Sequence, residues 1–167
     1  MNKKFTITSR STKSSARTGV IKTPHGLIET PAFGPVASQG TVKGLSHSQV
    51  IDLGVQFILV NAYHLFLRPG MDIIKTSGGL HSFISWEKPI LSDSGGFQIY
   101  SLSPLVKVKK EGVRFSSHLD GAKIFLTPEN AIEIQLGLGT DIIMALDYFV
   151  PYPSSRASMK LSLIHIS

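Results

Sequence analysis

Short, nearly unbroken apolar runs, each ending on a polar residue, punctuate this chain. Gln56-Phe57-Ile58-Leu59-Val60 runs into Asn61, Pro89-Ile90-Leu91-Ser92 into Asp93, and Asp141-Ile142-Ile143-Met144-Ala145-Leu146 into Asp147. A strand with one wet face alternates apolar and polar residues, whereas an unalternated run is what a parallel strand covered on both faces looks like. A shorter run, Ala32-Phe33-Gly34-Pro35-Val36, precedes the three. Helix signals lie between them. Ser46 can cap a short helix that turns Val50 and Leu53 inward and ends at Gly54. Thr127-Pro128-Glu129 opens another, stopped by Gly137 or Gly139. Strand and helix in alternation predict an α/β chain with right-handed crossovers, either a doubly wound sheet or a (β/α) barrel.

Two segments break that rhythm. Thr18 to Ile21 and Leu27 to Thr30 flank Thr23-Pro24-His25-Gly26, a Pro-then-Gly turn that predicts an N-terminal antiparallel hairpin outside the main sheet. Gly112-Val113-Arg114-Phe115-Ser116 and Lys123-Ile124-Phe125-Leu126 flank Asp120-Gly121, which predicts an inserted hairpin near 112–126.

The residues that end the apolar runs are the candidate chemistry. Polar groups at the C-terminal ends of successive parallel strands converge on the face where α/β enzymes bind their ligands, which singles out Asn61, Asp93 and Asp147. After Asp93 comes Ser94-Gly95-Gly96-Phe97-Gln98, where adjacent glycines let backbone amides approach a phosphate or a purine carbonyl and Phe97 could stack on a planar base. An aspartate after a strand also serves as a helix cap or turn residue, and a glycine pair as a plain turn.

Composition narrows the classes. With 42% hydrophobic and 17% charged residues, the 167-residue chain has the make-up of a globular protein rather than a disordered one. It contains no cysteine, so neither a disulfide nor a thiolate zinc site can form within it. The formal charge of +6 and a pI near 9.7 suit a polyanionic partner or an ordinary solvated surface. The basic, hydroxyl-rich start lacks the apolar core of a signal peptide and no 18-residue apolar run occurs, so a cytoplasmic protein with no membrane partner is expected.

Asp93-Ser94-Gly95-Gly96-Phe97-Gln98 with Ser101-Leu102 resembles the signature loop of the tRNA-guanine transglycosylase (queuine tRNA-ribosyltransferase) family, as do Asn61-Ala62-Tyr63-His64-Leu65 and Leu67-Arg68-Pro69-Gly70. Thr30-Pro31-Ala32-Phe33, Gly112-Val113-Arg114-Phe115, Leu126-Thr127-Pro128-Glu129 and Pro151-Tyr152-Pro153 are similar to the family in the same order, so the resemblance spans roughly Phe5 to Lys160. It implies a TIM (β/α)8 barrel that exchanges the wobble guanine of a tRNA anticodon loop for a 7-deazaguanine through a covalent ribosyl-enzyme intermediate. By the same resemblance Asp93 is the catalytic acid/base, and Asp147 accepts from the Watson–Crick edge of the base. Phe97 stacks on the base while Ser94, Gly95 and Gly96 contact it, Asn61 lies beside the ribose, and Val36 and Leu59 line the pocket.

A complete barrel needs about 250 residues, so residues 1–167 are expected to be the N-terminal portion of one catalytic barrel, about its first four strands. The family's nucleophilic aspartate and its zinc site of three cysteines and one histidine are expected in a C-terminal part. No cofactor or metal is therefore expected in this chain, and the chain alone is expected to be inactive. Family members pair as homodimers at full length. Residues 161–167, with His165, depart from the family's continuation and are expected to be a non-native tail. Tyr148-Phe149-Val150 stands where bacterial members carry Glu-Cys-Thr, which leaves queuine, its aminomethyl or cyano precursor and an archaeosine precursor open as the incoming base. Two other readings compete. Asp93 and Asp147 could be the paired carboxylates of a glycoside hydrolase, although Trp86 is the only tryptophan for a sugar groove. The chain could also be a non-catalytic fragment of the same family that binds RNA or another subunit.

Overall fold

A computed structural model describes residues 4–102, 107–109, 111–147, 153–157 and 159. The expectations that fall on Tyr148-Phe149-Val150, on Pro151-Tyr152 and on the tail 161–167 with His165 lie outside the described residues.

Among the described residues the fold is a mixed α/β arrangement of three small sheets and short helices. The N-terminal sheet is antiparallel and has three strands, β1 (Phe5–Arg10), β2 (Arg17–Thr23) and β3 (Gly26–Thr30), in that order. The turn stands where Pro24 and Gly26 predicted it: Thr23 pairs with Gly26, whose φ of +137° a side chain would disfavour. β1 was not anticipated. Every residue of it but Ile7 is exposed, so burial leaves no alternation to find.

Next comes a parallel array built in chain order. Val36 pairs with Leu59 of β4 (Ile58–Val60), β4 pairs with β5 (Ile90–Ser92), and Leu91 pairs with Ile142. Its outer members are single bridges, so the expected strands over 32–36 and 141–146 are not formed as such. The first contains Pro35, which has no N–H to give a ladder. In the second, the buried Gln135 amide takes the place of a neighbouring strand. Its Oε1 accepts the Met144 N–H at 2.8 Å and its Nε2 donates to the Met144 carbonyl at 2.8 Å. β4 and β5 are buried at both ends and half-buried at Leu59 and Leu91, close to the two-sided burial that their runs predicted.

The connecting helices follow their caps. α1 (His47–Asp52) starts at a Ser46–Gln49 capping box and buries Val50. Leu53, expected inward, is 70% exposed: the helix ends at Asp52, and Leu53 is its C-cap. After β4 come α2 (Ala62–Leu65), α3 (Met71–Thr76) and α4 (Leu80–Ile84), and after β5 comes α5 (Gly96–Leu102). An antiparallel sheet of β6 (Lys107–Lys109), β7 (Gly112–Ser116) and β8 (Lys123–Leu126) contains the predicted inserted hairpin, with Val113 opposite Leu126 and an Asp120-Gly121 turn. α6 (Pro128–Leu138) is capped by Thr127, which accepts the Asn130 N–H, and stops at Gly139 in the left-handed conformation.

Among the described residues two apolar clusters hold these parts. One gathers Val50, Ile58, Val60, Leu65, Ile74, Leu80, Trp86, Ile90 and Leu138; the other gathers Tyr63, Ile99, Val113, Phe115, Leu126, Ala131 and Leu146. Ile134 of α6 packs against both, so this helix ties the parallel array to the inserted sheet.

Candidate active site

The strand register brings Asn61, Asp93 and Asp147 to one end of the array. The Asp93 N–H donates to the Val60 carbonyl at 3.0 Å, so β5 ends level with β4 and the Asp93 side chain meets Asn61. One carboxylate oxygen of Asp93 accepts the backbone N–H groups of Ala62 at 2.9 Å and Gly95 at 3.2 Å; the other accepts the Asn61 amide. Burial pushes this carboxyl above the usual range, against donors from Asn61, Ala62, Gly95 and Gln98 that favour its charged form.

The two glycines differ in what they permit. Gly95 has φ +77°, the left-handed turn that aims its N–H back at Asp93. A Cβ at Gly96 would collide with the carbonyl oxygen of Asp147, so the missing side chain lets that aspartate lie against the loop. Ser94 fixes the contact by donating its hydroxyl to Asp147 Oδ1 at 2.5 Å while accepting the Gly96 N–H at 3.3 Å.

A cavity of about 340 Å³ opens between these groups. Asp93, Ser94, Gly96, Phe97 and Asp147 line it, together with Gln98, Met144 and Ala145. Phe97 is 51% exposed at its edge. Such a space, with two carboxylates on its wall and little other polar surface, suits a small planar ligand rich in N–H donors. Of the other expected residues, Gly95 contributes its N–H to Asp93 and Asn61 acts on the same carboxylate. Val36 faces a second cavity of about 490 Å³ with Ser38, Gln39, Thr41, Lys43 and His64, while Leu59 is bonded through its backbone to Pro35 and Ala37. Burial and the neighbouring His118 push the His64 imidazole below its usual range, against an opposing pull from Asp93.

Gln98, Met144 and Ala145 had no assigned role in the sequence. Gln98 stood in the glycine motif, one position after Phe97, and that adjacency was the available signal. The sequence reads Met144 and Ala145 as strand interior; in the fold Gln135 holds the Met144 backbone and both residues stand on the cavity wall. Gln98 Oε1 is enclosed with no hydrogen-bond partner, an arrangement that costs about 1–3 kcal/mol.

At the opposite end of the same strands lies a second polar cluster. The enclosed Asp141 carboxylate accepts the Ile90 N–H at 2.9 Å, the His25 backbone N–H at 3.2 Å, and contacts from His25 Nδ1 at 2.8 Å and His81 Nε2 at 3.2 Å. Burial pushes this carboxyl up, but the Ile90 and His25 donors outweigh it and hold it below the usual range. His25, His81 and Asp141 form the one group of metal-ligating type among the described residues. Their geometry fits mutual hydrogen bonding better than an ion. The imidazoles are stacked, 3.6 Å apart and 17° from parallel, so no ion could lie in both ring planes.

The family model described as queuine tRNA-ribosyltransferase matches residues 11–165. Relatives named queuine tRNA-ribosyltransferase include one from Pelotomaculum thermopropionicum, 54% identical over 152 residues that cover 91% of this chain and 41% of the relative. Another, from Halalkalibacterium halodurans, is 55% identical over 151 residues, 90% of this chain and 40% of the relative. One from Halothermothrix orenii is 53% identical over 163 residues, 98% of this chain and 44% of the relative. The chain thus spans about two fifths of the length of the relatives it matches.

Proposed function

The chain belongs to the queuine tRNA-ribosyltransferase family, and from that premise we propose that it forms the first part of a barrel enzyme that replaces the wobble guanine of a tRNA anticodon loop with a 7-deazaguanine. One observation carries the proposal: Asp93, Ser94, Gly96, Phe97 and Asp147 line a single cavity at the C-terminal ends of parallel segments. A TIM barrel is supported by the order of those segments, in which each pairs with the next along the chain.

In this reading a carboxylate from outside these 167 residues attacks the ribose C1′. The C1′–N9 bond breaks with its electron pair going to the base, and Asp93 protonates the departing guanine. The 7-deazaguanine then enters, Asp93 takes the proton from its N9, and that nitrogen displaces the enzyme carboxylate from C1′. A carboxyl raised by burial is suited to trading a proton in both directions. Asp147, held by the Ser94 hydroxyl, accepts N–H groups from the Watson–Crick edge of the base. Phe97 stacks on the base, Gly95 and Gly96 bring the backbone to it, Asn61 borders the ribose, and Val36 and Leu59 line the pocket. The net charge of +6 favours the tRNA backbone. Zinc, expected of the full-length family, would have to be held elsewhere: the chain has no cysteine for the implied ligand set, and the His25–His81–Asp141 group is bonded to itself.

The test is a graft. Residues 1–160 replace their counterparts in the Halalkalibacterium halodurans relative, and incorporation of labelled guanine into tRNA is measured. The chimera is expected to exchange the base, and D93N to slow it by roughly 10²–10⁴-fold. A folded chimera whose exchange survives D93N overturns the assignment.

A further inference from the structure

Gln98 sits in the first turn of α5, lines the cavity beside Asp93 and turns its amide toward that carboxylate. Its other amide atom, Oε1, is enclosed and has no partner. The amide thus faces Asp93 as a donor while its oxygen is left unpartnered. A carboxylate needs a donor and a carboxylic acid needs an acceptor, and a primary amide offers both faces by a half-turn about its last bond. Gln135 shows the contrast within this fold: its oxygen and nitrogen are both tied to neighbours, so its amide is locked.

We propose that Gln98 is a positioning residue whose amide turns with the protonation of Asp93, donating to the carboxylate and accepting from the acid, so that the side chain keeps one place as its proton comes and goes. This rests on the reading of Asp93 as the acid/base group, although the pairing itself can be seen without turnover. The other ionisable groups around Asp93 are His64 on α2, with His118 beyond it, and Asp147 reached through Ser94. None of these ionisable groups can present an N–H to one form and a carbonyl to the other; the Asn61 amide could, and its nitrogen lies on the carboxylate oxygen that Ala62 and Gly95 leave free.

The experiment is an NMR titration of the 167-residue chain, following the Asp93 carboxyl carbon and the Gln98 side-chain amide together. The Gln98 amide is expected to titrate with the midpoint of Asp93. Q98M removes both faces of the amide and raises the Asp93 midpoint by about one unit, because the donor lost from the charged form matters more than the acceptor lost from the neutral one. Q98E raises it further, and the two variants keep the sign testable if one fails to fold. A Gln98 amide blind to the Asp93 titration, or a midpoint unmoved in a folded Q98M or Q98E chain, overturns the proposal. A lower melting temperature with an unmoved midpoint marks Gln98 as structural only. Coupled titration in a chain whose graft does not exchange guanine would leave the pairing standing and remove the exchange reading instead.

Discussion

Asp93 and Asp141 sit at opposite ends of the same parallel segments, each with its carboxylate out of bulk water, and the fold treats them oppositely. At Asp141 the donors win: backbone N–H groups from Ile90 and His25 and the side chain of His25 hold the carboxyl below its usual range. At Asp93 burial wins, despite donors from Asn61, Ala62 and Gly95. The first carboxylate fastens the His25 turn of the N-terminal sheet and His81 of α4 to the start of β5. The second faces a cavity with a proton that is easier to keep. One residue type thus serves as a fastener at one end and, in the proposed function, as a reagent at the other, and neighbouring donors decide which.

The sharpest way to break that comparison is to make the same change at both ends. D93N is expected to abolish most of the exchange in the graft while altering stability by less than about 1 kcal/mol, since it removes a charge that the fold disfavours. D141N is expected to lower stability by about 2–3 kcal/mol by weakening bonds that converge on an enclosed carboxylate. Urea denaturation of both variants checks this, and equal losses would erase the distinction.

Acid sharpens it further. Asp141 is depressed in the fold, so its contribution is fully present above the ordinary carboxylate value of about 3.9 and fades as pH falls through its lower folded value. Asp93 is raised, so its contribution is present below the ordinary value and fades as pH rises through the higher folded one. The denaturation midpoint should thus lose part of its acid-side decline in D141N and part of its decline with rising pH in D93N. A smaller effect concerns the surface. L53S is expected to change stability by no more than about 0.5 kcal/mol, because Leu53 lies outside α1 and is exposed; a larger loss in a melting experiment would mean that it is packed in solution.

The site was more legible in the sequence than the sheet around it. Asn61, Asp93 and Asp147 could be found because each ends an apolar run, and pairing of neighbouring segments brings such ends together. Caps were legible for a similar reason: Ser46, Thr127 and Gly139 act within a few residues of themselves. What escaped notice depends on distant partners. The stretch 141–146 has the composition of a strand, yet Gln135 takes the Met144 backbone bonds that a strand would use. β1 pairs through its backbone and buries little, so its side chains carry no pattern. The Asp141 cluster draws on residues 25, 81, 90 and 141, and no spacing in the chain announces it.

The most direct measurement of the central claim is to titrate the isotope-labelled chain with guanine and record which backbone amides shift. Shifts gathered at Asp93 to Gln98 and Met144 to Asp147, absent at His25, His81 and Asp141, and lost in D147N are the predicted result. No binding, or shifts that persist unchanged in D147N, would contradict a purine site between Asp93 and Asp147.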